Sequence, residues 1–233
     1  MSKNNISFIL HKPQLSENIG RQNVINMARS MGIRSPIINS PSLALGTSEV
    51  NLLELTAAYD VLANSGKGIF VHGIRSIENT SGKTLFMREG KGPGEILDPG
   101  LVNTMIRMLE NTIQTGTGKN AKIDRPAAGK TGTSQSLRDA WFIGFSSDLV
   151  VGVWFGNDDD SPMEKITGGT APAVLWGEFM KQAHKNIRPR ALNYGEDNLN
   201  SIIESRKKIQ EILDKTKAKP KKNVFESILD NFF

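Results

Sequence analysis

Two apolar runs in the second half of the chain limit its fold more than any other feature. The runs, DAWFIGF and LVVGVWFG, are rich in aromatic and β-branched residues, and they are joined through Ser146, Ser147 and Asp148. Apolar runs of this length joined by a short polar turn predict an antiparallel hairpin. A second, shorter pair of strands is predicted around the turn from Asn79 to Gly82.

Helical patterns precede and follow the long hairpin. We expect one helix to end at Gly32, one to begin at the N-cap Ser48 and lie deep in the core, one to begin at Asp98 and Pro99, and one to begin at Thr170. The order of helices, antiparallel sheet edge and covering helix predicts an α+β fold. The expected apolar faces are Val24, Met27, Ala28 and Met31, then Val102, Met105, Ile106, Leu109 and Ile113, then Leu175, Trp176 and Phe179.

The Gly129-Lys130-Thr131 sequence does not complete a phosphate-binding loop. Such a loop reads G-x-x-x-x-G-K-[ST], because its glycines let backbone N–H groups surround the anion. Asp124 occupies the position of the leading glycine, and its carboxylate would repel a phosphate. Lys130 therefore needs another explanation.

The composition points away from metals and cofactors. The chain has no cysteine, which excludes disulfides, thiolate metal sites and a cysteine nucleophile. His11, His72 and His184 are too widely spaced to suggest a metal cluster. We expect neither a metal nor a cofactor.

Positive charge is concentrated at the C-terminal end. From Lys181 onward the chain has 12 Lys and Arg against 7 Asp and Glu, and the preceding residues have 17 of each. No aromatic residues alternate with the basic ones as in single-strand nucleic-acid sites, so we expect no nucleic-acid partner. The predicted organisation is a folded portion over residues 1–182 and a basic, partly helical or disordered tail over residues 183–233.

The N-terminal residues carry no targeting pattern. The longest apolar run there is ISFIL, far shorter than the roughly 20 residues that cross a membrane. The sequence predicts neither a signal peptide nor a transmembrane segment for this chain.

Lys130 suits a strand that binds an extended ligand. In a strand, Lys130 and Gly132 point to one face, while Thr131 and Thr133 point to the other unless twist at the sheet edge brings a hydroxyl round. Gly132 has no side chain to keep another backbone away, so a peptide could align beside it. A cation and two hydroxyls favour a peptide that ends in a carboxylate.

Several segments together resemble one family. These are PSLALGTSEVNLLELTAAYDVLANSGKG, GTGKNA, AGKTGTS, RDAWFIGFSSDLVVGVWFGNDD and TGGTAPAVLWGEFM. They are similar, in order, to the transpeptidase domain of class A (bifunctional, type 1A) penicillin-binding proteins, over about residues 23–182. The resemblance implies an incomplete penicillin-binding transpeptidase fold, like that of serine β-lactamases, with helices packed on an antiparallel sheet.

The resemblance also implies roles for the Lys-Thr-Gly strand. Lys130, a catalytic residue, would bind the terminal carboxylate of a D-alanyl-D-alanine stem peptide or of a β-lactam together with Thr131 and Thr133. Gly132 would belong to the same substrate-binding strand. The Thr133 N–H would form half of an oxyanion hole. The implied reaction is the D,D-transpeptidation that cross-links peptidoglycan, which the family carries out at the periplasmic face of the cytoplasmic membrane.

Two further family motifs bear on catalysis. The sequence Ser2-Lys3-Asn4 resembles the second motif, which makes Ser2 and Asn4 candidate catalytic residues. The Ser-x-x-Lys nucleophile motif matches only at Ser205 and Lys208, after Lys-Thr-Gly, whereas the family places it before the other motifs. We therefore expect the chain to lack the nucleophile, to be inactive alone, and to have the missing N-terminal part of the same enzyme as a partner.

A second hypothesis is a non-catalytic remnant or interaction module with a basic tail. Under either hypothesis the three tryptophans are predicted to pack in the core rather than to form a substrate platform. These are Trp141, Trp154 and Trp176.

Overall fold

A three-stranded antiparallel sheet with helices on both faces forms the centre of the computed structural model, which describes residues 14–90, 92–194, 207, 210, 211 and 214. The arrangement is the predicted α+β fold. Residues 14–19 are helical and precede the labelled elements. In chain order these are α1 (Arg21–Ser30), a 3-10 helix (Pro41–Leu45), α2 (Leu52–Ala63), β1 (Lys67–Gly68), β2 (Ser76–Glu78), β3 (Thr84–Met87), β4 (Gly94–Glu95), α3 (Pro99–Gln114), a 3-10 helix (Lys119–Ala121), β5 (Ala128–Thr133), a 3-10 turn (Gln135–Leu137), β6 (Asp139–Phe145), β7 (Val150–Gly156) and α4 (Ala171–Ala183).

The central sheet has the order β5-β6-β7, and the long hairpin predicted from the two apolar runs is its β6–β7 pair. Lys130 lies opposite Ile143, and Ile143 lies opposite Gly152. The β6–β7 turn closes through a hydrogen bond of 2.9 Å from the Ser146 N–H to the Leu149 carbonyl. Among the described residues β5 and β7 are therefore the two edges of this sheet.

The two faces of the sheet pack against different helices. A Cβ added to Gly152 would lie 2.9 Å from Leu52 Cδ1, so α2 crosses β7 on one face. On the other face, the Trp176 ring of α4 lies 5.3 Å from the Phe142 ring, centroid to centroid. The sheet thus separates a core under α2 and α3 from a core under α4.

Helix α3 begins and packs as the sequence predicts. Asp98 caps it, because its Oδ1 accepts hydrogen bonds from the Gly100 and Leu101 N–H groups at 2.8 and 3.2 Å. Met105 is 39% exposed, so it lies outside the buried stripe that was expected to include it. The other four residues of the predicted face are buried: Val102, Ile106, Leu109 and Ile113.

Helix α2 begins later than predicted. Its N-cap is Asn51 and not Ser48, since the Asn51 side chain accepts a hydrogen bond of 2.8 Å from the Glu54 N–H. The Glu54 carboxylate in turn accepts from the Ser35 hydroxyl at 2.7 Å, and this hydrogen bond lowers the pKa of Glu54. The cap therefore also anchors the loop that follows α1.

The expectation that α2 lies deep in the core is wrong for its first turn. Leu53 is 62% exposed, whereas Val61 is 1% exposed. The apolar composition of the helix predicts that it is buried. It does not show which of its turns are covered by other described residues. The start of α2 consequently presents apolar side chains beside β7.

The predicted short hairpin is the β2–β3 pair. The Asn79 side chain shapes its turn by accepting hydrogen bonds from the Ser81 and Lys83 N–H groups at 3.1 and 2.9 Å. Gly82 has φ +81°, a left-handed conformation that favours glycine. All residues of both strands are exposed.

Helix α4 packs through a narrower stripe than predicted. Trp176 is fully buried, but Leu175 is 49% and Phe179 51% exposed, so neither packs on the sheet as expected. The buried positions follow the spacing i, i+3, i+4 and i+7, which leaves Leu175 and Phe179 at the sides of the stripe. They are Ala173, Trp176, Gly177 and Met180.

After α4 the chain stays in contact with the sheet and α3. Leu192 is 4% exposed, and the Tyr194 hydroxyl donates a hydrogen bond of 2.8 Å to Glu110 Oε1. Arg190 pairs with Asp148 in the β6–β7 turn, and hydrogen bonding from Arg190 lowers the pKa of Asp148. Arg190, Leu192 and Tyr194, all beyond residue 182, thus lie against the folded portion.

Helix lengths can be compared with the thickness of a bilayer. α3, with 16 residues, is the longest of the labelled helices. Nowhere in the described part of the chain is a helix both long and apolar enough to span a membrane.

Candidate functional site

The Lys-Thr-Gly sequence lies at the end of β5, as the sequence predicts. Lys130 aligns with Gly152, where α2 packs, so its side chain leaves the sheet on the α2 face. Thr131 aligns with Phe142 and therefore belongs to the α4 face, together with Thr133. Lys130 and Thr133 are exposed and Thr131 is half-buried. The three side chains therefore flank the strand from both sides.

The backbone of this strand presents donors away from the sheet. The Ser134 N–H, one residue after β5, donates to the Asp139 carbonyl at 3.0 Å. Inward and outward backbone groups alternate along an antiparallel strand, so the N–H groups of Thr133 and Thr131 point away from β6. Lys130 reaches the same edge, because its Nζ donates to the Thr131 carbonyl at 2.7 Å. The cation and the outward N–H groups thus lie along one edge of the sheet.

The Thr131 hydroxyl has a partner that sequence reasoning missed. Thr131 Oγ1 lies 2.7 Å from Thr117 Oγ1, in the loop after α3. Thr117 belongs to the GTGKNA segment, which the sequence interpretation used only as a family landmark. The small residues around it were a signal of close packing, but the pairing joins residues 14 apart and needed the fold to reveal it.

The loop before α4 closes over the same end of β5. The Gly168 N–H donates to Thr133 Oγ1 at 3.1 Å. A Cβ on Gly168 would lie 2.8 Å from the Gly132 nitrogen and closer still to the Gly132 and Trp141 carbonyl oxygens. Only glycine fits this approach, which the sequence patterns did not predict.

The loop before α4 is also hydrogen-bonded to the loop after α3. The Asn120 amide donates to the Gly169 carbonyl at 2.7 Å. The loops that contain Thr117 and Gly168 therefore support β5 from the α4 face, opposite the side chain of Lys130.

This arrangement is suited to an anionic group at the strand edge. An ammonium, outward backbone N–H groups and two hydroxyls can all donate, and charge-assisted hydrogen bonds to a carboxylate are stronger than neutral ones. An extended peptide can add to such an edge as a further strand. The site therefore has the chemistry for binding the C-terminal carboxylate of a peptide.

The predicted second motif falls outside the part of the chain that the structure describes. Ser2 and Asn4 lie outside the described residues. Within the part of the chain that is described, no three His, Asp or Glu side chains are placed to share a metal ion. Of the predicted site residues, the structure describes Lys130, Thr131, Gly132 and Thr133, which lie together in β5.

Of the three tryptophans, Trp154 departs most from its predicted place in the core. Trp176 is fully buried, but Trp154 is 41% exposed and packs against Trp141 with ring centroids 6.1 Å apart. The Trp154 Nε1–H donates to Asp139 Oδ1 at 2.9 Å, which fixes the exposed ring. Trp154 lies on the α2 face, beyond the part that α2 covers.

Comparisons with known proteins identify the family to which this chain belongs. Residues 16–170 match the model of the penicillin-binding protein transpeptidase domain. Penicillin-binding protein 1A of Aquifex aeolicus is 36% identical over 171 residues, which are 72% of this chain and 23% of that protein. The chain thus spans about a quarter of the length of this curated relative.

Solved structures of the family have the same fold. Penicillin-binding protein 1A from Haemophilus influenzae superposes with a TM-score of 0.63 at 26% identity, over 70% of this chain and 31% of that one. The penicillin-binding protein PonA1 from Mycobacterium tuberculosis superposes with a TM-score of 0.64 at 22% identity, over 71% of this chain and 50% of that one. The chain belongs to the penicillin-binding protein transpeptidase family and corresponds to a portion of the transpeptidase domain of its type 1A members.

Proposed function

We propose that this chain is the carboxylate-binding segment of a peptidoglycan D,D-transpeptidase. Its ligand would be the terminal carboxylate of a D-alanyl-D-alanine stem peptide, or the carboxylate of a β-lactam. The observation that carries the proposal is the edge of β5, where Lys130 Nζ and the outward N–H groups of Thr131 and Thr133 lie together. The PonA1 protein, which shares the fold, has been solved in complex with penicillin V.

The edge would serve both binding and acyl transfer. A serine oxygen attacks the penultimate carbonyl, the D-alanine amine leaves with a proton, and the acyl group passes to an amine of a second stem peptide. The Thr133 N–H would stabilise the oxyanion of the tetrahedral intermediate, and losing one such donor costs about 3 kcal/mol of transition-state stabilisation. Lys130 would hold the ligand carboxylate in register with that donor.

The attacking serine would come from outside these 233 residues. The only Ser-x-x-Lys match in the sequence, Ser205 and Lys208, follows Lys130 and has the wrong order for the family. The apolar surface beside β7, where Trp154 and Leu53 are exposed, would receive the complementary part of the domain. On this proposal the chain binds ligand weakly alone and reacts only when assembled.

Ligand binding is tested by NMR titration of the labelled chain with diacetyl-L-lysyl-D-alanyl-D-alanine. We expect shifts at residues 130–133 and at least a tenfold loss of affinity in Lys130→Ala, since a charge-assisted hydrogen bond to the carboxylate is removed. Lys122→Ala, an exposed lysine before β5, is the matched control. A folded chain that binds no ligand, or binds equally well without Lys130, would overturn the proposal and favour a non-catalytic interaction module.

The location of the nucleophile is tested separately with benzylpenicillin. The chain is incubated with the drug and its intact mass is measured, while a thermal melt of the same sample establishes that it is folded. We expect no adduct. A stoichiometric covalent adduct would show that a serine of this chain is activated and would contradict the proposed external nucleophile.

A further inference from the structure

We propose that Thr117 is a positioning residue for carboxylate binding, acting through the hydroxyl of Thr131. This inference rests on the proposed function of β5. Thr117 lies between α3 and the following 3-10 helix, and its Oγ1 is 2.7 Å from Thr131 Oγ1. The Thr131 hydroxyl lies on the α4 side of the strand whose outer edge would bind the ligand carboxylate.

The backbone around Thr117 is held on two sides, so its hydroxyl is fixed against Thr131. On one side, the N–H of the buried Gly118 donates to the Thr112 carbonyl at 2.9 Å. On the other, Gly169 packs so closely on the Thr117 carbonyl that an added Cβ would overlap it. Asn120 holds Gly169 in that position through its 2.7 Å hydrogen bond.

The number of hydroxyl protons determines which of the two threonines donates to the other when ligand is bound. A threonine hydroxyl has one proton to donate and two lone pairs to accept with. If Thr131 donates to a carboxylate, it has no proton left for Thr117, so Thr117 must be the donor between the two. Thr117 then orients the Thr131 proton toward the ligand and strengthens that hydrogen bond by polarising it.

The test uses the full chain and a pair of ligands that differ only at the C-terminus. Diacetyl-L-lysyl-D-alanyl-D-alanine and its C-terminal amide are each titrated by NMR, and the ratio of the two Kd values measures recognition of the carboxylate. We expect Thr117→Val to lower the preference for the acid by roughly 5- to 10-fold, the size expected for one hydrogen bond to a charged group. Thr117→Ser retains the hydroxyl and should retain the preference.

The chain provides a matched control in the same loop. Thr115 Oγ1 lies 2.8 Å from Asn111 Oδ1, at the end of α3, so its hydroxyl is used within that turn. Thr115→Val should leave the ratio unchanged. If Thr117→Val does not fold, Thr117→Ala replaces it, and its acid-to-amide Kd ratio tests the role of Thr117 in the same way.

A double-mutant comparison separates positioning from general support of the fold. In a Thr131→Val background, Thr117→Val should have no further effect on the acid-to-amide ratio, because the hydroxyl through which it acts is absent. Additive losses would show that Thr117 does not act through Thr131 and would overturn the proposal.

The remaining outcomes distinguish the two proposals. If the unmodified chain prefers the acid and Thr117→Val prefers it equally, the role of Thr117 is wrong and the function of β5 stands. If the unmodified chain does not distinguish acid from amide, the proposed function itself fails and the role of Thr117 fails with it.

Discussion

The Ser146 hydroxyl lies 2.9 Å from Nε2 of His184 and so joins the β6–β7 turn to the end of α4. Both residues are 2% exposed. His184 Nδ1 is 2.7 Å from the Met180 carbonyl, which can only accept, so Nδ1 carries a proton and donates to that carbonyl.

This contact is structural and does not form a catalytic triad. In a triad the carboxylate binds the imidazole nitrogen opposite the serine. Here the Asp148 carboxylate lies 3.9 Å from Nε2, on the same side of the ring as Ser146, and Ser146 Oγ also accepts from the Asp148 and Leu149 N–H groups. The serine therefore organises the turn.

Ser146→Ala should destabilise the fold by about 1–3 kcal/mol, because it leaves buried hydrogen-bonding groups without their partner. Urea unfolding followed by circular dichroism measures the loss. Ser147→Ala is the control, since the Ser147 hydroxyl donates to the adjacent Asp148 and lies outside the buried cluster. Equal stability of the Ser146 and Ser147 variants would contradict this role.

Gly168→Ala should destabilise the chain and displace the end of β5. The added Cβ would meet backbone atoms of Gly132 and Trp141, which cannot turn aside as a flexible side chain could. We expect a loss of about 1–3 kcal/mol, as for other overpacked sites. NMR shifts at Thr131 and Thr133 should change together with the urea midpoint.

A glycine in open space provides the control for Gly168. Gly73 has no atom within 4 Å of an added Cβ, so Gly73→Ala should leave both the midpoint and the β5 shifts unchanged. If Gly168→Ala behaved like Gly73→Ala, the loop before α4 would not hold β5 as closely as the structure indicates.

Features of α3 and β5 could be predicted because their signals are local. Asp98 precedes a regular apolar stripe, and the cap and the stripe both depend on neighbours within a few residues. The N-cap of α2 was missed because Ser48 and Asn51 are both suitable capping residues. The helix that Asn51 caps also has a long-range contact between Glu54 and Ser35, which sequence patterns do not reveal.

Contacts between residues that are far apart in the sequence could not be predicted from it. Lys130 could be placed on a strand, but its reach to the Thr131 carbonyl and the pairing of Thr131 with Thr117 depend on which loop lies beside β5. Similarly, the exposure of Phe179 depends on what covers α4, and helical periodicity carries no information about that.

Asp60→Asn should raise the melting temperature at pH 7. Asp60 lines a cleft with Asn64, Ile69 and Leu149, and burial raises its pKa above the ordinary value of 3.8. The folded state therefore binds more protons than the unfolded state between the two pKa values, so stability falls as pH rises through the folded pKa. The variant removes this penalty, and each kcal/mol recovered corresponds to about 2–4 °C.

The pH dependence provides the check on Asp60. The difference in melting temperature between Asp60→Asn and the parent should disappear below the unfolded pKa, where Asp60 is protonated in both states. Glu49→Gln removes an exposed carboxylate and serves as the comparison. A difference that is the same at pH 3 and pH 7 would mean that hydrogen bonding or packing, and not the buried charge, causes it.

The outer edge of β7 should make the chain associate with itself. The Ser146 N–H bonds inward to Leu149, so by alternation the N–H groups of Gly152 and Trp154 point outward, and among the described residues no strand pairs with them. Trp154 of β7 is 41% exposed, and Leu53, in the first turn of the helix that packs on β7, is 62% exposed. An edge that combines unpaired backbone groups with apolar side chains favours pairing between copies.

Trp154→Lys should shift this association toward the monomer, because a charge at an edge strand disfavours pairing with another copy. Sedimentation velocity over a range of concentrations measures the shift. Leu85→Lys, at a 62% exposed position in the separate β2–β3 hairpin, adds the same charge away from β7 and should leave the association unchanged. A parent chain that sediments as a monomer and melts cooperatively would contradict the prediction, because β7 would then be protected without a partner.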